Sequence, residues 1–251
     1  MSEKGRLRVY SIGSHVLQPH LEDLLHKSGN ILVDSEDNAD MVLFGGNCIY
    51  APSLITRKDV PVLLLSSYKL FTGVELHREV DEGEIAVVHP LAPFAEEVLN
   101  FLNWEHHFLR RGNTMVIRLF PTFGKDSPED TIVSRLVTAA NDSEPMYQLL
   151  YSNRVRSWLH MSDLDEGFER LLRAFLKGTT GIYNLGSTFQ TRIGELNKSV
   201  FQLKGLDTSN PLDEEWWDMP WRPVYLVPDM TRTAAVTKWK PRVSLRAGLY
   251  T

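Results

Sequence analysis

The run of residues best equipped to move protons is "SSYKL" (66–70), where two hydroxyls, a phenol and an amine follow one another. Glu96, Glu97 and His89 are near enough in sequence to add carboxylates and an imidazole, so this set could supply general acid–base groups. Tyr68 and Lys69 are adjacent, however, and two groups acting from one helix face must stand a helical turn apart. Glu96 and Glu97 also suit a plainer role, as solvent-facing acids in the first turn of a helix. The eight histidines include the pair His106-His107 and the isolated His15, His20 and His160. None stands with Cys, Asp or Glu at a metal-site spacing, so no metal is expected. The single cysteine, Cys48, excludes an internal disulfide, and nothing nearby marks it as activated. Trp216, Trp217 and Trp221 gather in "DEEWWDMPWRP" (213–223), which reads as an ordered loop. They could stack a nucleotide base, form a partner surface or cap the C-terminal part.

These residues need a scaffold, and the apolar pattern outlines one. "LRVYSI" (7–12), "NILVDS" (30–35), "DMVLFGG" (40–46), "VPVLLLSS" (60–67) and "NTMVIRLF" (113–120) read as buried strands. Helical patterns cover 17–27 and 93–111. In the second, Pro93 suits a first turn, Gly112 a stop, and Phe94, Val98, Phe101, Leu102 and Leu109 one apolar face. Near-continuous apolar strands alternating with helices predict an α/β fold with a parallel, doubly wound sheet, which holds ligands beyond the carboxyl ends of its strands. The later part is mixed: helices at 129–140, 162–177 and near 191–203, and strands at 146–152 and 181–187. With 43% hydrophobic and 24% charged residues, the 251-residue chain is ordinary for a soluble globular protein. Its net charge of −5 argues against a nucleic-acid surface. No apolar run approaches the roughly 18–20 residues of a membrane span. The opening "MSEKGRLRVYSIG" enters a strand without a signal-peptide core, so the expected location is cytoplasmic.

Several segments fall in one order: "LLLSSYKLFTG" (63–73), "PFAEEV" (93–98), "VIRLFPTFGKD" (116–126), "RSWLHMSDLDEGFERLL" (156–172), "GIYNLGST" (181–188) and "WRPVYLVPDMTRTAAVTKWKPRVSLRAGL" (221–249). The series resembles the extended short-chain dehydrogenase/reductases, specifically the nucleotide-sugar epimerase and dehydratase family. The resemblance implies a Rossmann-like domain over 1–150, with elements near 156–187 returning to it, and a smaller substrate lobe mainly over 188–251. It also implies a catalytic Ser, Tyr and Lys working with NAD(P). Ser67 matches the serine. Phe94 stands at the tyrosine position and Val98 at the lysine position, and neither ionises, so the standard proton transfer cannot run. The family's Gly-rich phosphate loop is altered as well. Its glycine positions hold Ser11, Ser14 and Leu17, and only Gly13, out of register, remains. The resemblance thus implies NAD(P), while these side chains argue against its binding, with Leu17 crowding the site further. Asp34 could accept ribose hydroxyls or simply be a turn residue.

The chain between 34 and 60 is shorter than in the family, lacking a strand-helix portion and the long helix that contributes to the family's dimer. Arg156 and Arg222 match the two family arginines that grip a nucleotide diphosphate; an ion pair of Arg156 with Asp163 or Asp165 is the plainer alternative. Pro121 replaces a ligand-contacting Asn. The expectation is an epimerase/dehydratase-like protein without the Tyr/Lys redox chemistry that retains nucleotide-sugar binding. An active enzyme with relocated acid–base groups and a non-catalytic interaction module are the alternatives. Candidate partners are a nucleotide sugar, a second copy or another protein, with neither nucleic acid nor membrane.

Overall fold

The computed structural model describes residues 6–48, 55–71, 78–84, 94–128, 131–144, 146–149, 152–209, 212–216 and 224–249. Its first half alternates as expected: β1 (Arg8–Ser14), α1 (Gln18–Lys27), β2 (Ile31–Val33), β3 (Met41–Gly46), β4 (Val62–Ser67), α2 (Ala95–Leu109) and β5 (Thr114–Leu119). The chain continues through β6 (Thr122–Phe123), α3 (Ile132–Asn141), β7 (Tyr147–Leu149), β8 (Val155–Ser157), β9 (Leu159–His160), α4 (Met161–Leu176) and β10 (Gly181–Leu185). It closes with β11 (Gln190–Arg192), α5 (Ile193–Leu203), β12 (Leu212–Trp216), β13 (Tyr225–Leu226), α6 (Thr231–Thr237) and α7 (Leu245–Gly248).

Six parallel strands form the main sheet in the order β2-β1-β3-β4-β5-β10. Strands β3, β4 and β5 are buried throughout. Their alternate residues feed two separate cores, as a two-residue side-chain period requires. Met41, Leu43, Leu63, Leu65, Met115 and Ile117 pack with Leu21 and Leu25 of α1 and with Leu164 and Phe168 of α4. Val42, Phe44, Leu64 and Val116 pack with Trp104 and Phe108 of α2 on the other face. A further cluster joins α3 to α5 through Leu136, Leu196, Val200 and Phe201, beside the small sheet β11-β8-β13.

The strand order reverses where β1 lies between β2 and β3, so the carboxyl ends of β1 and β3 frame the switch-point crevice of an open α/β sheet. The two sheet edges differ. Along β10, the Asn184 N–H donates to Glu82 Oε1 at 3.0 Å and its side-chain amide to the Val80 carbonyl at 2.8 Å, so residues 78–84 cover that edge. Burial pushes the Glu82 carboxyl up. Among the described residues no helix stands between β3 and β4.

The reading of 213–223 as a loop is corrected over 213–216: Leu212–Trp216 forms a strand parallel to β7. Trp217 and Trp221 lie outside the described residues, as do His89, Pro93 and Arg222. Among the described residues no helix is long and apolar enough to cross a membrane.

Candidate functional site

The corner where the resemblance predicts the catalytic set is built from the carboxyl end of β4, the short turn after it and the start of α2. Ser67 closes β4 as a buried residue, and its hydroxyl accepts the Lys69 N–H at 3.2 Å. Phe94 caps α2 without any side-chain cap bond, and Val98, one turn on, is fully buried. Val98 packs with Leu70, Phe71, Val80, Phe101 and Phe120, which explains the apolar residue there: the position faces a dry interior. Lys69 reaches across from the turn. Its ammonium lies 5.7 Å from the Phe94 ring centroid and 2.6 Å from Glu97 Oε2. Such a cation over an aromatic face is favourable. Glu96 is exposed, as expected of a first-turn acid, but Glu97 is half-buried and held by Lys69, which corrects its reading as solvent-facing. Tyr68 turns the other way, its ring 6.2 Å from that of Phe120, so Tyr68 and Lys69 do not form one acid–base pair.

Beneath this corner lies a network that sequence reasoning missed. Arg118 of β5 grips Glu105 of α2 at 3.0 and 2.7 Å, and Ser66 donates to the same carboxylate at 2.6 Å. Both charged side chains are almost wholly buried, so the pair survives by mutual bonding. The even spacing of apolar residues along α2 conceals Glu105, because an acid inside an apolar stripe is legible only when its partner strand is known.

The crevice between β1 and β3 is where a dinucleotide would approach. Gly13 keeps a positive φ of 92°, and a β-carbon there would stand 2.3 Å from the Gly45 carbonyl oxygen. Leu17 does not crowd the crevice as expected: it caps α1 and packs into the core beneath. Gln18 turns toward the crevice instead. Its Oε1 would meet a β-carbon on Gly45 at 2.0 Å, while a β-carbon on Gly46 would meet the Phe101 ring at 2.6 Å. Gln18 Nε2 donates to Ser11 Oγ at 2.8 Å, to the Ile12 carbonyl at 3.3 Å and to Glu22 Oε1 at 3.2 Å. The Ser11 hydroxyl donates to the same Glu22 oxygen at 2.5 Å.

His15 is buried beside them, its ring against the edge of Phe101, with Nδ1 accepting the Leu17 N–H at 3.2 Å. Burial pushes its imidazole down to about 4, and the Lys69 ammonium adds to that push. Ser14 is exposed at the end of β1, and Asp34 is exposed at the bend after β2. Of the residues assigned to cofactor binding, Ser11 and Gly13 therefore border the crevice.

Arg156, expected to grip a diphosphate, is buried on β8, with Nη1 donating to the Val155 carbonyl at 2.8 Å and the Val224 carbonyl at 3.4 Å. The alternative ion pairs find other partners: Asp163 accepts the N–H groups of Arg242 and Val243, and Asp165 bonds His20 at 2.6 Å. His160 caps α4, its Nδ1 accepting the Ser162 N–H. Among the described residues no group of three His, Cys, Asp or Glu gathers as a metal site would require.

No family model matches the chain. In sequence it is similar to UDP-glucuronic acid decarboxylase 6 of Arabidopsis thaliana, 24% identical over 202 residues, covering 78% of this chain and 57% of that protein. UDP-glucuronic acid decarboxylase 2 of the same plant is 29% identical over 150 residues, 59% of this chain and 32% of that one. The chain thus spans little more than half the length of the first of these relatives. Among solved structures, MoeE5 in complex with UDP-glucose and NAD matches with a TM-score of 0.73 at 18% identity, covering 97% of this chain and 96% of the other. A UDP-glucuronic acid 4-epimerase from Bacillus cereus, in complex with UDP-glucuronic acid and NAD, matches with a TM-score of 0.72 at 14% identity, covering 97% of each chain. The chain is thus similar in sequence to UDP-glucuronic acid decarboxylases and shares the parallel α/β fold of the solved structures it matches.

Proposed function

We propose that the chain binds a nucleoside-diphosphate sugar and does not carry out Tyr/Lys-dependent hydride chemistry upon it. The observation behind this reading is the state of the helix start: Phe94 and buried Val98 leave no ionisable group where the family's Tyr and Lys stand. A general acid–base residue must reach its proton and titrate near working pH. Phenylalanine and valine do neither. The sugar-nucleotide relation of the chain's relatives, in sequence and in fold, supports the ligand class. Within this reading residues 1–150 supply the Rossmann-like scaffold and 188–251 the substrate lobe. Arg156 and Arg222 hold the diphosphate, because a guanidinium fork donates in pairs and stays charged.

One observation favours a second reading. Lys69 and Glu97 place an amine and a carboxylate close to Phe94, so relocated acid–base groups beside Ser67 are the form an active enzyme would take here. One experiment separates the readings. The protein is titrated calorimetrically with UDP-glucuronic acid, UDP-glucose, dTDP-glucose and a GDP-sugar, and each mixture is followed by NMR for chemical change. Heat without conversion, weakened in Arg156→Lys, is the expected result. Conversion of any sugar would establish the second reading, and silence across the panel would leave a protein-interaction role in place of both.

A further inference from the structure

The crevice at the β1–β3 switch point has the position of a dinucleotide phosphate site but not its chemistry. A helix N-terminus binds phosphate through N–H groups left without partners inside the helix. At the start of α1 two of those donors are already engaged. The Leu17 N–H bonds His15 Nδ1 at 3.2 Å, and the Gln18 N–H bonds the His15 carbonyl at 2.8 Å. Pro19, next in the helix, has no N–H at all.

The volume is taken too. Gln18, a polar side chain only 6% exposed, presses against Gly45. Phe101 lies against Gly46 in the same way, so the small residues of β3 make room for the chain's own side chains. Charge completes the picture: the Glu22 carboxylate accepts from both Ser11 and Gln18, which places an anion of the protein directly behind the side chain that fills the crevice. A pyrophosphate entering there would meet like charge in a partly buried setting, where Coulomb repulsion is stronger than in water.

We propose that Gln18, Ser11 and Glu22 form a built-in substitute for the dinucleotide's pyrophosphate, closing the NAD(P) crevice from within. Gln18 supplies the volume, Glu22 the negative charge, and Ser11 the hydroxyl that joins them. The dinucleotide implied by the fold does not fit these residues, and sugar-nucleotide binding through the other lobe does not depend on it.

The test is calorimetric titration of NAD⁺, NADP⁺ and ADP into wild-type protein and into a Gln18→Ser/Glu22→Gln variant, with folding of each checked by circular dichroism. Wild-type protein is expected to give no binding heat, and the variant to bind ADP and NAD⁺ at least about tenfold more tightly than any wild-type limit, a difference of about 1.4 kcal/mol. If the double variant fails to fold, Glu22→Gln alone removes the charge while keeping the Ser11 and Gln18 groups, and the same gain is read there. Dinucleotide binding by wild-type protein would overturn the proposal. So would silence from a folded variant, since closure would then not be the work of these side chains. Neither result bears on sugar-nucleotide binding, which is read with different ligands.

Discussion

His15 provides a direct check on how tightly the crevice is packed. In the unfolded chain its imidazole titrates at the ordinary value of 6.5, and in the folded protein burial moves it to about 4. The neutral ring is therefore the folded form. Between those values the unfolded state holds a proton that the folded state refuses, so stability rises with pH by up to about 1.4 kcal/mol per unit. This contribution is fully present above about pH 6.5 and is lost as pH falls toward about 4, some 3 kcal/mol across the window. That is a large fraction of the roughly 5–15 kcal/mol that holds a domain together.

Carboxylates held down by partners, such as Asp40 beside Arg8, also lose stability in acid, so the wild-type profile alone does not isolate the imidazole. His15→Gln keeps a polar side chain but cannot titrate, and every other group contributes equally to both proteins. Urea unfolding is followed at several values between about pH 7.5 and about pH 4.5. The wild type should lose more stability than His15→Gln across that range, by most of the roughly 3 kcal/mol, with unchanged slopes in denaturant. Parallel profiles would refute the reasoning and mean that water reaches the ring.

The buried Glu105–Arg118 pair makes a second case. Glu105→Gln strands the Arg118 guanidinium in the interior and should cost about 3–5 kcal/mol in urea unfolding, whereas Glu105→Gln with Arg118→Met should cost less than the two single changes summed; strict additivity would deny the coupling. A third concerns the temptation to rebuild an acid–base pair at the start of α2. Val98→Lys buries an ammonium among Leu70, Phe71, Phe101 and Phe120 and should lower stability by roughly 3 kcal/mol or more, while Phe94→Tyr, at the partly buried cap, should stay within about 1 kcal/mol. Scanning calorimetry showing Val98→Lys as stable as the parent would mean that the position opens to solvent.

The strands were legible because burial on both faces forces unbroken apolar runs, and β3, β4 and β5 emerge within two residues of where those runs predict them. The packing of Val98 was legible too, since the apolar stripe of α2 put it on the buried face. What escaped is everything decided by contact between segments far apart in sequence. Leu17 looked like the obstruction in the phosphate loop because it fills a glycine position, but α1 begins one residue later and turns Leu17 into the core and Gln18 into the crevice. Glu97 looked like a surface acid because helix first turns favour acids, and its bond to Lys69 spans 28 residues of sequence. The strand Leu212–Trp216 was hidden by Trp and acidic residues that carry no alternating pattern.

The packing around Gln18 has a physical cause that bears on function. A crevice that holds a ligand is stabilised by that ligand in proportion to its concentration over its dissociation constant, and the small residues lining it are a liability when no ligand comes. An empty slot beside Gly45 and Gly46 would leave the backbone of β3 without close neighbours, and unfilled volume of that kind costs stability. Gln18, His15 and Phe101 supply those neighbours intramolecularly, so packing at the switch point is independent of any cofactor concentration. On this argument the losses at Phe94 and Val98 and the filling of the crevice are two faces of one change. If the proposed reading holds and no proton is moved at the head of α2, nothing there requires the dinucleotide, and side chains that fill its place add packing to the fold.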